Sequence, residues 1–481
     1  MRKLIFSCIL ATIILSPSFS ANASTTTPTG QPMDLPSSPN ITLPLHGEAA
    51  ILVEQTTGRI LYERNMHEEM FPASTTKLLT ALVVMDHLDL DTVIVVGPEI
   101  HNMPTGFATG VHIEGEAITV RVLLHAFLMR SSNESGRVLA LEVIRTTTGE
   151  RDMQYIDAKP RFSTLMNAKS RALGAENSNF NNPYGLHNEF HFTTAYDLSL
   201  IAREFANNPI LMEITGTLSF DGDSMEGRTP PYGSESRNLS FRNTNQMLPG
   251  AALGHPHVTG GRTGFTTPAG HCFVGFADNG NLSLISVVLR AQEDTRWVDT
   301  RMLIDHGFQN FQFRTLGSNN ELVETVFINN PRLGESDTLD IFMREQTSLL
   351  LSDDEYNSIQ RAISYASRFM PQEDDYGQTV LRTPIEEDEA VGTITYSMGN
   401  ATLFSAPLLA DRQVLTRTFD SDMDYYMDIF FSNIFTMRGL PYWFGFFGTV
   451  FGVVGTIFAI STHRRLRRME RWDTIDRRRR Y

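Results

Sequence analysis

Hydrophobic and polar positions change rhythm several times along the chain. Leu4–Leu15 is a charge-free, mostly apolar run behind Arg2 and Lys3 and ahead of Ala21-Asn22-Ala23, the layout of a secretory signal over residues 1–23. Residues 24–45 are rich in Ser, Thr, Pro and Asn without a period, and read as a flexible linker. Ala49–Glu54 and Ile60–Tyr62, separated by Thr57-Gly58-Arg59, predict a β-hairpin. Pro72–Met85 is apolar on nearly every side, which predicts a buried helix with Pro72 and Ser74 at its start. Helical periodicity then dominates to about Asn207, including Val122–Met129 and Ser135–Arg145. Ser219–Ser240 is polar and Gly-rich, a loop insertion or ragged hairpin. Gly261–Ala277 and Leu282–Leu289 read as paired strands, and Arg296–Phe311 as a closing helix. Strands at both ends with helices between them imply an α+β domain over residues 46–311, one antiparallel sheet with helices packed on it.

The texture changes after that. Val323–Ile328, Ser348–Leu351, Val391–Tyr396 and Ala401–Pro407 read as short strands of a smaller β-rich domain, residues 312–412, with Gln372–Asp375 and Tyr376-Gly377 in a solvated loop. Over residues 413–439, Phe419, Met423, Tyr426, Phe430, Ile434 and Met437 recur at helical spacing opposite Asp420, Asp424 and Asp428. With that acidic back, the apolar face is expected to pack on the protein rather than on lipid. Residues 440–461 predict a transmembrane helix: Leu440–Ile460 carries no charge and would span about 30 Å. Tyr442 and Trp443 stand where an outer aromatic belt would. The basic tail, residues 462–481, carries nine Arg against Glu470, Asp473 and Asp476, which places the tail in the cytosol and the body outside. Gly448 and Gly452 form a G-x-x-x-G pair, a candidate seat for a homodimer.

Composition sharpens this picture. The net charge is −15 although the tail is basic, so the body is strongly acidic and nucleic-acid binding is excluded as an expectation. Cys8 lies in the signal, leaving Cys272 as the one cysteine of the mature body and no intramolecular disulfide or cysteine zinc site. His255 and His257 read as surface loop residues rather than ligands; no metal and no cofactor is expected.

Against 36 arginines the chain has four lysines, Lys3, Lys77, Lys159 and Lys169. Arg holds its proton at any usable pH, whereas a buried Lys can lose it and act as a base. Lys77 lies in the buried helix three residues after Ser74, so both side chains share one helix face. A Ser at a helix start is by itself a cap. With a deprotonatable amine one turn on, it is a candidate nucleophile beside its base. Two further clusters offer what such a nucleophile needs, a proton relay and an oxyanion site. Ser131-Ser132-Asn133 follows the apolar helix Val122–Met129. Arg262-Thr263-Gly264-Phe265 opens an apolar strand running to Phe276, with glycines that allow close approach.

In this order and spacing the clusters resemble the serine D-Ala-D-Ala carboxypeptidases, the low-molecular-mass penicillin-binding proteins of peptidase family S11. Ser74-Thr75-Thr76-Lys77 matches S-x-x-K, Ser131-Ser132-Asn133 matches S-x-N, and Arg262-Thr263-Gly264 stands where K-T-G is usual. Asn167-Ala168-Lys169, Leu173-Gly174, Asn182-Pro183-Tyr184-Gly185-Leu186 and Thr193-Thr194-Ala195-Tyr196-Asp197 resemble the segment between the second and third motifs. Val391-Gly392-Thr393-Ile394 and Pro407-Leu408 resemble the C-terminal β-domain.

The resemblance implies a β-lactamase/transpeptidase-like fold and an enzyme that removes the terminal D-Ala of peptidoglycan stem pentapeptides through an acyl-enzyme on Ser74, trapped by β-lactams. It implies Lys77 as base, Ser131 as proton relay, Asn133 orienting the peptide amide, Arg262 and Thr263 holding the terminal carboxylate, and the N–H groups of Ser74 and Phe265 as oxyanion hole. Two alternatives stand beside it. One is a weak or inactive penicillin-binding wall protein. The other is a class A β-lactamase, whose E-x-x-L-N pentad does not occur between Asn133 and Arg262.

Overall fold

The computed structural model describes residues 41–477 apart from 105, 108, 222–227, 230–239, 371, 374–378, 434–435 and 437–439. The expected signal and most of the linker lie outside the described residues. Two compact units divide the chain, the second beginning at Asn310.

The first unit is built on a five-stranded antiparallel sheet of β1 (Ala49–Glu54), β2 (Ile60–Arg64), β3 (Val258–Thr266), β4 (Gly270–Asp278) and β5 (Ser283–Ala291), in the order β2-β1-β5-β4-β3. The expected hairpin is β1–β2, with Leu52 opposite Tyr62. Gly261–Ala277 is not one strand: Thr266 and Gly270 close a tight turn between β3 and β4, and Ala269 N donates to Thr266 Oγ1. Phe265 therefore sits at the end of β3, not at the start of a strand.

All six residues of β1 are buried, the mark of a strand covered on both faces. The period-2 alternation of β4 sorts its side chains accordingly. Cys272, Val274 and Phe276 join the core formed with helices α1 (Lys77–His87), α2 (Val120–Met129), α3 (Asn133–Thr148), α4 (Tyr155–Ala172), α5 (Ala195–Ala206) and α6 (Pro209–Gly216). Phe273 and Ala277 face the other way, into a smaller core with Trp297 and Ile304 of α7 (Thr295–Asn310). The helical region also holds two three-residue strands, Val93–Val95 and Ala117–Thr119, too short to read from periodicity. Ser219–Asp221 pairs with Ser240–Arg242, the ends of the expected ragged hairpin.

The second unit has a seven-stranded sheet that includes Glu321–Asn329, Ala390–Met398 and Ala401–Ala410, and a separate pair, Phe311–Leu316 with Thr347–Ser352. Glu321–Asn329 pairs in parallel with Thr379–Arg382. Gln372–Glu373 is a short strand rather than loop, while 374–378 lie outside the described residues.

The amphipathic helix begins at Phe419, not Gln413, because Val414 and Thr416 bridge to Ile385 and Pro331 of the β-unit. It runs to Asn433; Ile434 and Met437 lie outside the described residues. Its apolar face is exposed, contrary to the expected packing: Phe419 is 79% and Tyr426 59% accessible, and Ser421 is the buried residue of the helix. A 38-residue helix, Leu440–Arg477, follows and continues through the basic tail instead of ending at residue 461. Its stretch Trp443–Arg468 is long and apolar enough to cross a membrane.

Candidate active site

Pro72 leads into a 3-10 turn, Ala73–Thr76, and only then into α1, so Ser74 sits on the turn and Lys77 opens the α-helix. The turn is closed by its own side chains: Thr75 Oγ1 donates to Pro72 O (2.7 Å) and Thr76 Oγ1 to Ala73 O (2.8 Å). The Thr76 hydroxyl also meets His191 Nε2 at 2.8 Å, while Nδ1 of that ring accepts from Asn181 N at 3.0 Å. Burial pushes His191 down to about 3, so the ring is neutral and Nε2–H is the donor to Thr76.

Lys77 is fully buried, and its amine has three oxygen neighbours: Asn133 Oδ1 at 2.6 Å, Tyr184 O at 3.0 Å and Ser74 Oγ at 3.2 Å. The first two are carbonyl oxygens and can only accept. A neutral amine has two N–H bonds and one lone pair. In that form its N–H groups satisfy the carbonyls and leave the lone pair for the Ser74 hydroxyl, whereas in the ammonium form the third N–H donates to Ser74 Oγ. Burial first, then the charge of Arg262, holds Lys77 well below the usual amine range against the pull of Glu134.

The Tyr184 carbonyl is aimed by Asn182, whose Oδ1 accepts from the backbone N–H of Tyr184 (3.3 Å), Gly185 (2.8 Å) and Leu186 (2.9 Å). Gly185 has φ +83°, and a Cβ there would lie 1.8 Å from Ala73 O and 2.9 Å from Ser74 N. Gly185→Ala is therefore expected to cost about 2–5 kcal/mol, left-handed strain plus overpacking, and to displace the turn that carries Ser74. A thermal unfolding midpoint within a degree of the parent would contradict this contact.

Ser131 stands at φ +68°, between the end of α2 and Ser132, whose side chain caps α3 by accepting from Ser135 N. Ser131 Oγ lies 3.3 Å from Ser74 Oγ. Asn133 is the first residue of α3 rather than part of a loop. Its Oδ1 takes the Lys77 amine and its Nδ2 donates to Phe107 O at 2.8 Å, so its contacts orient the Lys77 amine.

Arg262 is 1% exposed. One terminal nitrogen donates to Leu128 O at 3.0 Å and, longer, to Thr244 Oγ1; the other donates to Ser131 Oγ. Arg has no acceptor, so the Ser131 oxygen must accept and its O–H is left to point at Ser74. Burial lowers Arg262 to about 9, which leaves it cationic at neutral pH. Thr263 Oγ1 lies 2.9 Å from Thr244 Oγ1.

Gly264 permits the approach of β3 to the turn that holds Ser74: a Cβ there would be 2.9 Å from Pro72 O and 3.1 Å from Ser74 N. Phe265 follows, its ring exposed and stacked on His271 at 4.3 Å. The three clusters far apart in sequence thus converge on Ser74, with Arg262 joined to it through Ser131. His255 is not a surface residue: it is 3% exposed and meets Asp305 Oδ1 at 3.1 Å.

Residues 36–293 match the family described as D-alanyl-D-alanine carboxypeptidase, peptidase family S11, over more than half of the chain. The chain belongs to this family. It is similar to the D-alanyl-D-alanine carboxypeptidase DacF of Bacillus subtilis, at 26% identity over 76% of this chain and 84% of that one. The D-alanyl-D-alanine endopeptidase of Pseudomonas aeruginosa is 33% identical over 49% of this chain and 70% of its own. The solved D-alanyl-D-alanine carboxypeptidase DacD of Francisella tularensis matches with a TM-score of 0.56 at 21% identity, over 83% of this chain and 100% of that one, which shows the shared α+β fold. Within the S11 frame, Thr244 and Glu134 carry no expectation from the sequence, and Asn182 and Tyr184 stand there only as part of a matching segment, without a role. Tyr184 acts through a backbone carbonyl, which leaves no mark on residue identity.

Proposed function

We propose that this serine peptidase removes the terminal D-Ala of a peptidoglycan stem peptide with the residues described. Lys77 takes the Ser74 proton as Ser74 Oγ attacks the penultimate carbonyl. The backbone N–H groups of Ser74 and Phe265 bind the oxyanion, contacts typically worth about 10²–10³ in rate. The Ser131 hydroxyl gives its proton to the departing D-Ala nitrogen and is made good by the proton that Lys77 took from Ser74, so the amine is neutral again before water arrives. Thr263 receives the substrate carboxylate with the Arg262 charge behind it, since both terminal nitrogens of Arg262 are engaged, with Ser131, Leu128 and Thr244. Water then hydrolyses the ester at Ser74. β-Lactams form the same ester and stay.

What carries this reading is the Lys77 amine, whose two carbonyl partners absorb its N–H groups and leave the lone pair to Ser74. The test is D-Ala release from a pentapeptide, together with mass spectrometry of the intact protein after penicillin. D-Ala release and a persistent adduct on Ser74 are expected. Rapid loss of the adduct would make the chain a β-lactamase, and a stable adduct without D-Ala release a wall protein lacking peptidase activity.

Arg262→Gln tests the cation. Its charge lowers the Lys77 pKa, so removing it raises that pKa. The acid limb of penicillin acylation, followed across about pH 5–9, should then move to higher pH. A limb that stays put would remove Arg262 from the control of Lys77. The helix Leu440–Arg477 supports a topology in which its apolar part spans the membrane, the Arg-rich end lies in the cytosol and the catalytic body faces the wall.

A further inference from the structure

One carboxylate is drawn into the site without touching a reacting atom. Glu134 lies in the first turn of α3 and is 3% exposed. Its Oε1 accepts from Thr109 N (2.6 Å) and Gly110 N (2.9 Å), and its Oε2 from Thr109 Oγ1 (2.5 Å) and Ser132 Oγ (3.2 Å). Four donors fill the acceptor capacity of a carboxylate. The stretch of chain anchored in this way presents Phe107 O to Asn133 Nδ2, and Asn133 Oδ1 in turn receives Lys77. A further contact ties the same stretch to α3: His112 Nε2 meets Ser135 Oγ at 2.6 Å while Nδ1 meets Glu116 at 2.7 Å.

We propose that Glu134 is a positioning residue for the reaction. By clamping Thr109 and Gly110 it fixes the Phe107 carbonyl that orients Asn133, and so sets the direction of the Lys77 lone pair. The proposal rests on the reading of Lys77 as the base.

Electrostatics gives Glu134 a second effect. Two charged groups act on Lys77, Arg262 from β3 and Glu134 from α3. The rings of Phe127 on α2 and Tyr184, at 5.3 Å and 5.7 Å from the amine, complete its surroundings. Arg262 disfavours the ammonium form and Glu134 favours it. Burial by itself would raise the Glu134 carboxyl, but the hydrogen bonds from Thr109 and Gly110 outweigh it and hold the group below its ordinary value. Glu134 is therefore ionised at neutral pH. With Lys77 neutral, Arg262 and Glu134 are one buried cation and one buried anion, the balance that buried charges require.

The test uses the full chain with Glu134→Gln and Glu134→Ala, following acylation of Ser74 by a fluorescent penicillin across pH, with thermal unfolding alongside. Gln keeps the shape and removes the charge, so the acid limb should move down by about half to one pH unit. Ala removes the clamp, so the plateau rate should fall about 10–100-fold, the order expected when a catalytic group is misplaced by an ångström. A Gln variant with unmoved limb and unchanged plateau, beside an Ala variant altered only in unfolding midpoint, would make Glu134 merely structural and overturn the proposal alone. A parent protein with no acid limb would overturn the base role of Lys77, and this inference with it.

Discussion

Ser74→Ala yields a folded protein that takes no penicillin adduct and releases D-Ala at least about 10⁴-fold more slowly than the parent. The fold survives because little rests on this hydroxyl. Its longest-range structural contact is a 3.4 Å approach to Tyr184 O, whereas the turn around it is held by Thr75 and Thr76. Chemistry does not survive, because the covalent step needs the Ser74 oxygen and no neighbour can replace it. Ser131 Oγ, 3.3 Å away, accepts from Arg262 and stands on the far side of Ser74 in the hydrogen-bond chain from Lys77. Unfolding midpoint and labelling should therefore part company, the first nearly unchanged and the second gone. Full labelling of the Ala variant would move the nucleophile elsewhere and dismantle the mechanism.

Side chains whose chemistry is carried by their own identity were legible in the sequence. A lysine inside an apolar helix, in a chain that otherwise uses arginine, stands out as a candidate base, and the structure brings its amine to 3.2 Å from Ser74 Oγ although Ser74 sits on a 3-10 turn. What depends on backbone was not legible. Tyr184 contributes a carbonyl that any residue has, and only the loop turned by Asn182 and made possible by Gly185 gives it a direction. Glu134 looks like an ordinary first-turn acid, because the residues it holds, Thr109 and Gly110, lie 25 and 24 positions upstream. The family resemblance implies Arg262 as a carboxylate receptor, from its place in the third motif. Its burial, which turns it inward to Ser131, depends on packing that no local pattern records. Further along, helical periodicity was right for Phe419–Asn433 but overran its start, since period alone does not reveal that Val414 and Thr416 are taken by bridges to the β-unit.

Lys77→Arg should lower acylation by about 10²–10⁴-fold, the usual worth of a positioned general base. A guanidinium keeps its proton at neutral pH even when buried, as Arg262 does, and then has no lone pair to offer. It can still donate to Asn133 Oδ1 and Tyr184 O, so if Lys77 were only a structural donor the rate would hold. Lys77→Met separates the two costs. It abolishes the base but spares the site a second permanent cation near Arg262, so it should unfold at a higher temperature than the Arg variant although both are inactive. The parent's pH behaviour has the same origin. Lys77 is depressed below the ordinary lysine value of 10.5, so acylation should climb with pH as the amine of the folded protein loses its proton. Between the folded value and 10.5 the unfolded chain binds a proton that the folded one does not. This contribution to stability is therefore complete above 10.5 and is lost as pH falls toward the folded value. In Lys77→Met both the acid limb and this share of the stability slope should disappear together. Acylation of the Arg variant at close to the parent's rate would show that the Ser74 proton leaves by another route.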